Sequence, residues 1–195
     1  MVYASSSSVY GDAEPYPTSE ETRPRPNSPY GITKLACEHL AAAYGRGFGL
    51  DAVGLRYFTV YGPRQRLDMA FARVVAALVG GTPFEVYGDG GQSRSFTYVA
   101  DAVEATITAA AASAGSTYNV GGGSEATLRE AIAELESISG RSLDQRAAPS
   151  ASGDMRRTRA DTSLIARDLG WEATTALEDG LRAQWEWAAA RVAAR

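Results

Sequence analysis

Ser28-Pro29-Tyr30-Gly31-Ile32-Thr33-Lys34 is the stretch from which the rest of this sequence can be organised. A serine placed to cap a helix and a proline in the first turn announce a helix start. The pattern predicts a helix from Tyr30 to about Phe48, leaving through Gly45, Gly47 and Gly49. Lys34 is the only lysine, against eighteen arginines. Positions i and i+4 share a helix face, so Lys34 is predicted to lie beside Tyr30. An ammonium next to a phenol favours the phenolate, which makes the pair a candidate general base for a hydroxyl proton. A lone YxxxK motif is weak evidence, so its neighbours must decide.

With 195 residues, 45% of them hydrophobic and 22% charged, the chain can bury a core and reads as an ordinary soluble globular protein. A net charge of −4 gives no electrostatic case for nucleic acid or an anionic membrane. Cys37 is the only cysteine, which excludes an intrachain disulfide and a cysteine metal cluster. His39, the one histidine, reads as a helix-surface residue, and no metal site is expected. No apolar run approaches the roughly 18 residues of a membrane span and no signal peptide opens the chain, so a cytoplasmic location is expected.

Upstream of the helix, Met1 to Ser5 reads as a strand running into serines, and 12–28 as a surface loop. Downstream, strands are predicted at Ala52–Phe58, Phe84–Tyr87 and Thr117–Val120. Helices are predicted at Met69–Val79, Val99–Ala112 and Thr127–Ser139. A loop spans 147–158, a short helix ends near Leu169, and a last helix runs from Leu177 to about Ala194, with Leu181, Trp185 and Val192 at core spacing. Strands alternating with helices predict an α/β fold around a parallel sheet. The glycine-rich strand–turn–helix that holds a pyrophosphate is absent from the sequence, since Gly121-Gly122-Gly123 comes late and lacks the spacing.

Two segments raise the Tyr–Lys pair above chance: Ala4-Ser5-Ser6-Ser7-Ser8-Val9-Tyr10-Gly11, at the carboxyl end of a strand, and the Tyr30 helix start. With Arg56-Tyr57-Phe58-Thr59-Val60-Tyr61-Gly62-Pro63-Arg64-Gln65-Arg66, Val86-Tyr87-Gly88-Asp89-Gly90 with Arg94, Tyr118-Asn119-Val120-Gly121 and Gly153-Asp154, the sequence resembles the extended short-chain dehydrogenase/reductase family over its whole length. The likeness is to its NAD-dependent nucleotide-sugar epimerases and dehydratases. It implies the C-terminal part of a doubly wound, Rossmann-like parallel-sheet domain plus a small α/β substrate-binding lobe. Residues 1–62, with strand 117–121, would be the dinucleotide-binding remnant, and 63–195 mainly the nucleotide-sugar lobe.

By the same resemblance Tyr30 is the base, Lys34 supports it and holds the nicotinamide ribose, and Ser6 binds the reacting sugar hydroxyl. Tyr57 and Phe58 join Tyr30 and Lys34 around NAD. Dehydratases and decarboxylases of the family carry an acid after the catalytic Ser/Thr, whereas Ser7 and Ser8 stand here, which implies 4-epimerisation. Thr59 and the stretch from Arg64 to Met69 look most like UDP-glucuronate 4-epimerases, UDP-glucose epimerases being next. Arg66, Thr59 and Ser7 would then hold the uronate carboxylate, a task that suits a guanidinium fork. Tyr87 and Arg94 resemble the uracil and diphosphate grip, with Ser8, Arg156 and Arg157 as further substrate contacts.

Departures from the family pattern are Ser95 and Ala100 in place of acids, and Ala151 and Ser152 where an arginine is usual. The missing pyrophosphate turn implies a chain that turns over no substrate by itself and leaves the Val2-to-Ser5 edge uncovered. The alternatives are a non-catalytic remnant or subunit that binds UDP-sugar or a partner chain, and a 4,6-dehydratase or decarboxylase. The resemblance also implies a homodimer through the helix starting at Tyr30.

Overall fold

The computed structural model describes residues 1–13, 15–149 and 157–193. Its first layer is a parallel sheet of β1 (Val2–Ser6), β2 (Val53–Tyr57) and β6 (Thr117–Val120), in the order β1-β2-β6. Val2 pairs with Val53, and Gly54 with Thr117. Parallel neighbours need long crossovers, and the predicted helix supplies the first: α1 (Pro29–Phe48) joins β1 to β2. Side chains alternate across a strand. Val53, Leu55 and Tyr57 of β2 therefore face a cluster with Ala102, Ala105 and Trp171, while Arg56 points the other way, towards Glu38 of α1. Ala102 and Ala105 belong to α3 (Val99–Thr108), so α1 and α3 cover opposite faces of the sheet.

The second layer is built on β3 (Thr59–Tyr61) and β5 (Ser93–Tyr98), which run parallel. To β5 are added β7 (Ser124–Thr127), antiparallel, and β9 (Arg157–Thr158), parallel. Separately, β4 (Phe84–Tyr87) pairs with β8 (Gln145–Ala148). Three helices pack here: α2 (Ala70–Gly80), α4 (Leu128–Ser139) and α6 (Leu177–Ala193). A shorter one, α5 (Ser163–Leu169), packs under the first sheet through Ile165. The largest apolar cluster gathers Phe71, Val74 and Leu78 of α2 with Phe84, Phe96, Ile132, Leu135 and Leu181. A reciprocal capping box of Thr127 and Glu130 starts α4.

The α/β class and the parallel sheet are as the alternation predicts. Several elements correct the sequence reading. The stretch before Val99 is strand β5, and the 147–158 loop holds the end of β8 and all of β9. The serine run folds into a 3₁₀ turn, Ser7–Tyr10. Leu181 is fully buried and Trp185 packs against the main cluster, but Val192 is 57% exposed, because the last turns of α6 run past the body they cover. Among the described residues no helix is long and apolar enough to cross a membrane.

Candidate active site

The site forms where β1 ends. Ser6 caps the 3₁₀ turn by accepting the Ser8 N–H at 3.1 Å, and the turn closes at Gly11, whose φ is +59°. A β-carbon on Gly11 would run into the Arg25 carbonyl, so the turn lies directly on the 12–28 segment. Ser28 caps α1 by accepting the Gly31 N–H at 3.1 Å. A β-carbon on Gly31 would overlap the Ser8 carbonyl and press on Pro26. The glycine after Tyr30 is thus what lets the helix start touch the serine turn at Ser8.

Lys34 projects from the same helix face, with its Nζ 5.6 Å from the centre of the Tyr30 ring. It donates one hydrogen bond, 2.9 Å, to the Ala4 carbonyl of β1. An ammonium has three donors, so two remain for the hydroxyls of a ribose. Tyr30 is 53% exposed. The pair is open to a ligand on a rigid mount, which fits a nicotinamide cofactor and a sugar. Ser6 is buried and its oxygen takes the Ser8 N–H, leaving its O–H to donate.

Beneath the pair lies a buried polar network. Arg56 grips Glu38 with Nε to Oε1 at 2.9 Å and Nη2 to Oε2 at 2.7 Å, and Ser5 Oγ donates to the same carboxylate. Arg56 Nη1 donates to the Tyr10 hydroxyl at 2.9 Å, and that hydroxyl donates to Asn119 at 2.7 Å. Burial alone would raise the Glu38 carboxyl, but the hydrogen bonds from Arg56 and Ser5 outweigh it and hold it below its ordinary value. Burial likewise opposes the charge on Arg56, and the bond to Glu38 more than restores it.

A groove of about 290 Å³ opens between β3, β4 and α2, lined by Thr59, Arg73, Tyr87, Gln92, Arg94 and Phe96 among others. It unites three of the sequence-predicted substrate residues, Thr59, Tyr87 and Arg94. Arg73 was not foreseen: its guanidinium lies 5.2 Å from the Phe84 ring centre and 5.9 Å from that of Tyr87. Its position one turn into an amphipathic helix carries no motif signal.

Other predicted residues are placed differently. Arg66 is exposed outside the groove and holds Asp68 with a two-point fork, at 3.1 and 2.8 Å. The Tyr57 hydroxyl is 2.6 Å from Thr106 of α3, and Phe58 packs with Val9, Tyr10 and Ala160. Ser7 borders a small cavity with Tyr10, Tyr16, Phe58 and Arg157. Arg157 stacks on the Tyr16 ring at 4.1 Å and donates to Glu125 at 2.7 Å. Glu125 also accepts from Tyr16 and Ser93. The Arg157 guanidinium, helped by those hydroxyls against partial burial, brings the Glu125 carboxyl down to about 2. Arg156, Gly153, Asp154, Ala151 and Ser152 lie outside the described residues. Among the described residues no three His, Cys, Asp or Glu side chains gather to hold a metal.

Comparison with known proteins places this geometry. Residues 1–121 match the NAD dependent epimerase/dehydratase family. An uncharacterized UDP-glucose epimerase of Bacillus subtilis is 43% identical over 184 residues, 93% of this chain and 58% of that protein. A UDP-glucuronate 4-epimerase of Thermodesulfobacterium geofontis is 34% identical, covering 96% of this chain and 58% of its own length. The crystal structure of the Bacillus cereus UDP-glucuronic acid 4-epimerase, in complex with UDP-glucuronic acid and NAD, superposes with a TM-score of 0.91 at 40% identity. That match covers 96% of this chain and 60% of that one. The chain therefore spans about 58–60% of the length of these relatives. On these matches, the chain belongs to the NAD dependent epimerase/dehydratase family.

Proposed function

We propose that this chain carries the base and the sugar groove of an NAD-dependent 4-epimerase acting on a UDP-sugar, with UDP-glucuronate as the preferred substrate. The observation that carries the reading is the contact at Gly31, which seats the start of α1 on the Ser8 carbonyl, while Lys34 lies over the Tyr30 ring. NAD, when bound, supplies the redox chemistry, accepting hydride from C4 of the sugar and returning it to the other face. Lys34 would hold the cofactor's ribose hydroxyls with its two remaining donors. Ser6 donates to the C4 oxygen and fixes it towards Tyr30. Tyr30 is the base that takes the C4-hydroxyl proton while the 4-keto sugar forms, and it gives the proton back on re-reduction. Ser7 and Ser8 stand where elimination would need a carboxylate, which favours epimerisation over dehydration or decarboxylation.

Residues 1–62 with strand 117–121 form the cofactor side in this reading, and 63–195 mainly the nucleotide-sugar side. The groove holding Tyr87, Arg73 and Arg94 has an aromatic face for a base and guanidinium groups for a diphosphate. Along α1, Ile32, Leu40, Tyr44 and Phe48 are exposed, which supports a homodimer formed through this helix. Because the sequence holds no glycine-rich pyrophosphate turn, the chain by itself is expected to bind UDP-sugar without turning it over. Calorimetric titration with UDP-glucuronate and UDP-glucose, followed by incubation with NAD and chromatography for UDP-galacturonate, tests both statements. Binding to neither sugar overturns the reading, while conversion by this chain alone supports the epimerase and overturns the expected inactivity.

A further inference from the structure

We propose that Arg56 is a positioning residue: by holding Glu38, it keeps the Lys34 ammonium on Tyr30. The inference rests on the reading above only for what Tyr30 and Lys34 are used for, since the arrangement itself is geometric. Tyr30, Lys34 and Glu38 follow one another at four-residue steps, so they form one stripe of α1 with the lysine in the middle. On a helix without other partners, that ammonium is attracted to the carboxylate one turn on, and leaves the ring one turn back.

In this protein the carboxylate is already taken. Oε1 accepts Arg56 Nε and Ser5 Oγ, and Oε2 accepts Arg56 Nη2. The two side chains are only 8% and 10% exposed. A two-point, charge-assisted pairing of this kind is stronger and more directional than a lysine–carboxylate contact. It also requires the guanidinium fork, which a lysine at this position would lack. Arg56 is in turn anchored by Tyr10, which ends the serine turn, and through it by Asn119 of β6. Lys34 accordingly makes no ion pair among the described residues, and its partners are the Ala4 carbonyl and the Tyr30 ring. The charge on Glu38 serves to seat the helix and is kept away from the base.

The test uses the fact that Lys34 is the only lysine. Lysine labelled with carbon-13 at Cε alone gives this protein one side-chain methylene signal by NMR. In the wild type that signal should be displaced by the Tyr30 ring current, an effect removed in Tyr30→Leu. In Arg56→Gln the freed carboxylate should draw Lys34 away, and the displacement should be lost. In Arg56→Gln/Glu38→Gln, where no carboxylate competes, the displacement should return. A folded Arg56→Gln protein with an unchanged lysine signal overturns the proposal, as does a double variant that does not restore it. Should the single variant fail to fold by circular dichroism, Glu38→Gln and the double variant decide. Both must keep the wild-type displacement, and its loss in either overturns the proposal. Failure of the epimerase reading would show in the sugar assays and leave this signal untouched.

Discussion

The helices α1 and α2 are fixed to the same molecule by opposite means. Of the eleven residues of α2, six are buried: Phe71, Ala72, Val74, Val75, Ala77 and Leu78. Of the twenty residues of α1, Gly31 alone is buried, and Ile32, Leu40, Tyr44 and Phe48 face outwards. What holds α1 is mainly directional: a glycine contact at its start, one lysine–carbonyl hydrogen bond, and the Arg56–Glu38 pair, with Leu35 adding a half-buried apolar contact. Apolar burial resists displacement in every direction but fixes no particular atom. The polar mount of α1 gives less adhesion and more register, which is what a base and its lysine require.

The sharpest way to break this contrast is to truncate one large apolar side chain on each helix. Phe71 is 1% exposed and stacks at 4.4 Å on Phe96. Phe71→Ala should therefore lower the unfolding free energy by about 3–5 kcal/mol. Leu40→Ala, on the outer face of α1, should stay within about 0.5 kcal/mol. Urea denaturation of both variants measures the difference. Equal losses would mean that the outer face of α1 is covered in solution, as in the proposed homodimer.

A smaller effect is expected at the point of register. Gly31→Ala must push the helix start away from the Ser8 carbonyl, and overpacking of this kind costs about 1–3 kcal/mol. Loss of UDP-sugar binding should exceed what the stability loss alone explains, because Tyr30 moves with the helix start. Titration calorimetry well below the melting temperature checks this, and unchanged affinity would separate the contact from the site.

How far these regions can be read from sequence follows the same division. The α1 start was legible because its signals are local: a serine cap, a proline, and a tyrosine and lysine one turn apart. The strands β1, β2 and β6 showed themselves as short apolar runs between turns. By contrast β5 was missed, because Ser95 and Thr97 point inwards. They are buried on hydrogen bonds to the Gly122 N–H and carbonyl, so the strand shows no apolar alternation. Arg56 sat within a quoted motif, yet its burial depends on Glu38, eighteen positions away, and no local pattern contains that pairing. Thr59, expected with Arg66 and Ser7, lines one groove with Tyr87 and Arg94, whereas Arg66 is found on Asp68 outside it.

Acid should separate the two helices by the same logic. The mount of α1 includes a carboxyl held below its ordinary value of 4.5. A group with a depressed folded value contributes stability above the ordinary value, and loses it as pH falls through the depressed one. The apolar seat of α2 has no such dependence. A fluorophore on Cys37, the exposed cysteine of α1, reports one region, while Trp185 beside the main cluster, kept as the one tryptophan by Trp171→Phe and Trp187→Phe, reports the other. On acidification the Cys37 signal should change at higher pH than the tryptophan emission. Coincident transitions would show that α1 and the main core release together.

The smallest expected effect concerns the turn that feeds α2. Arg64 has φ +66° and is, among the described residues, the non-glycine residue in the left-handed region. That conformation costs an L-residue roughly 1–2 kcal/mol. The turn does not relax because its neighbour is pinned. Gln65 donates to the Val60 carbonyl, accepts the Ala72 N–H, and meets Gln184, whose own oxygen takes the Gly62 N–H. Arg64→Gly removes the strain but adds about 0.5–1 kcal/mol of chain entropy lost on folding. The net gain should fall between about 0 and 1.5 kcal/mol, seen as a raised melting temperature with unchanged UDP-sugar affinity. A lowered melting temperature would mean that the arginine side chain holds the turn. Because the strain lies between β3 and α2, relieving it strengthens the apolar half of the molecule alone. The pH interval between release of α1 and loss of the core should then widen in Arg64→Gly, which ties this variant to the acid experiment.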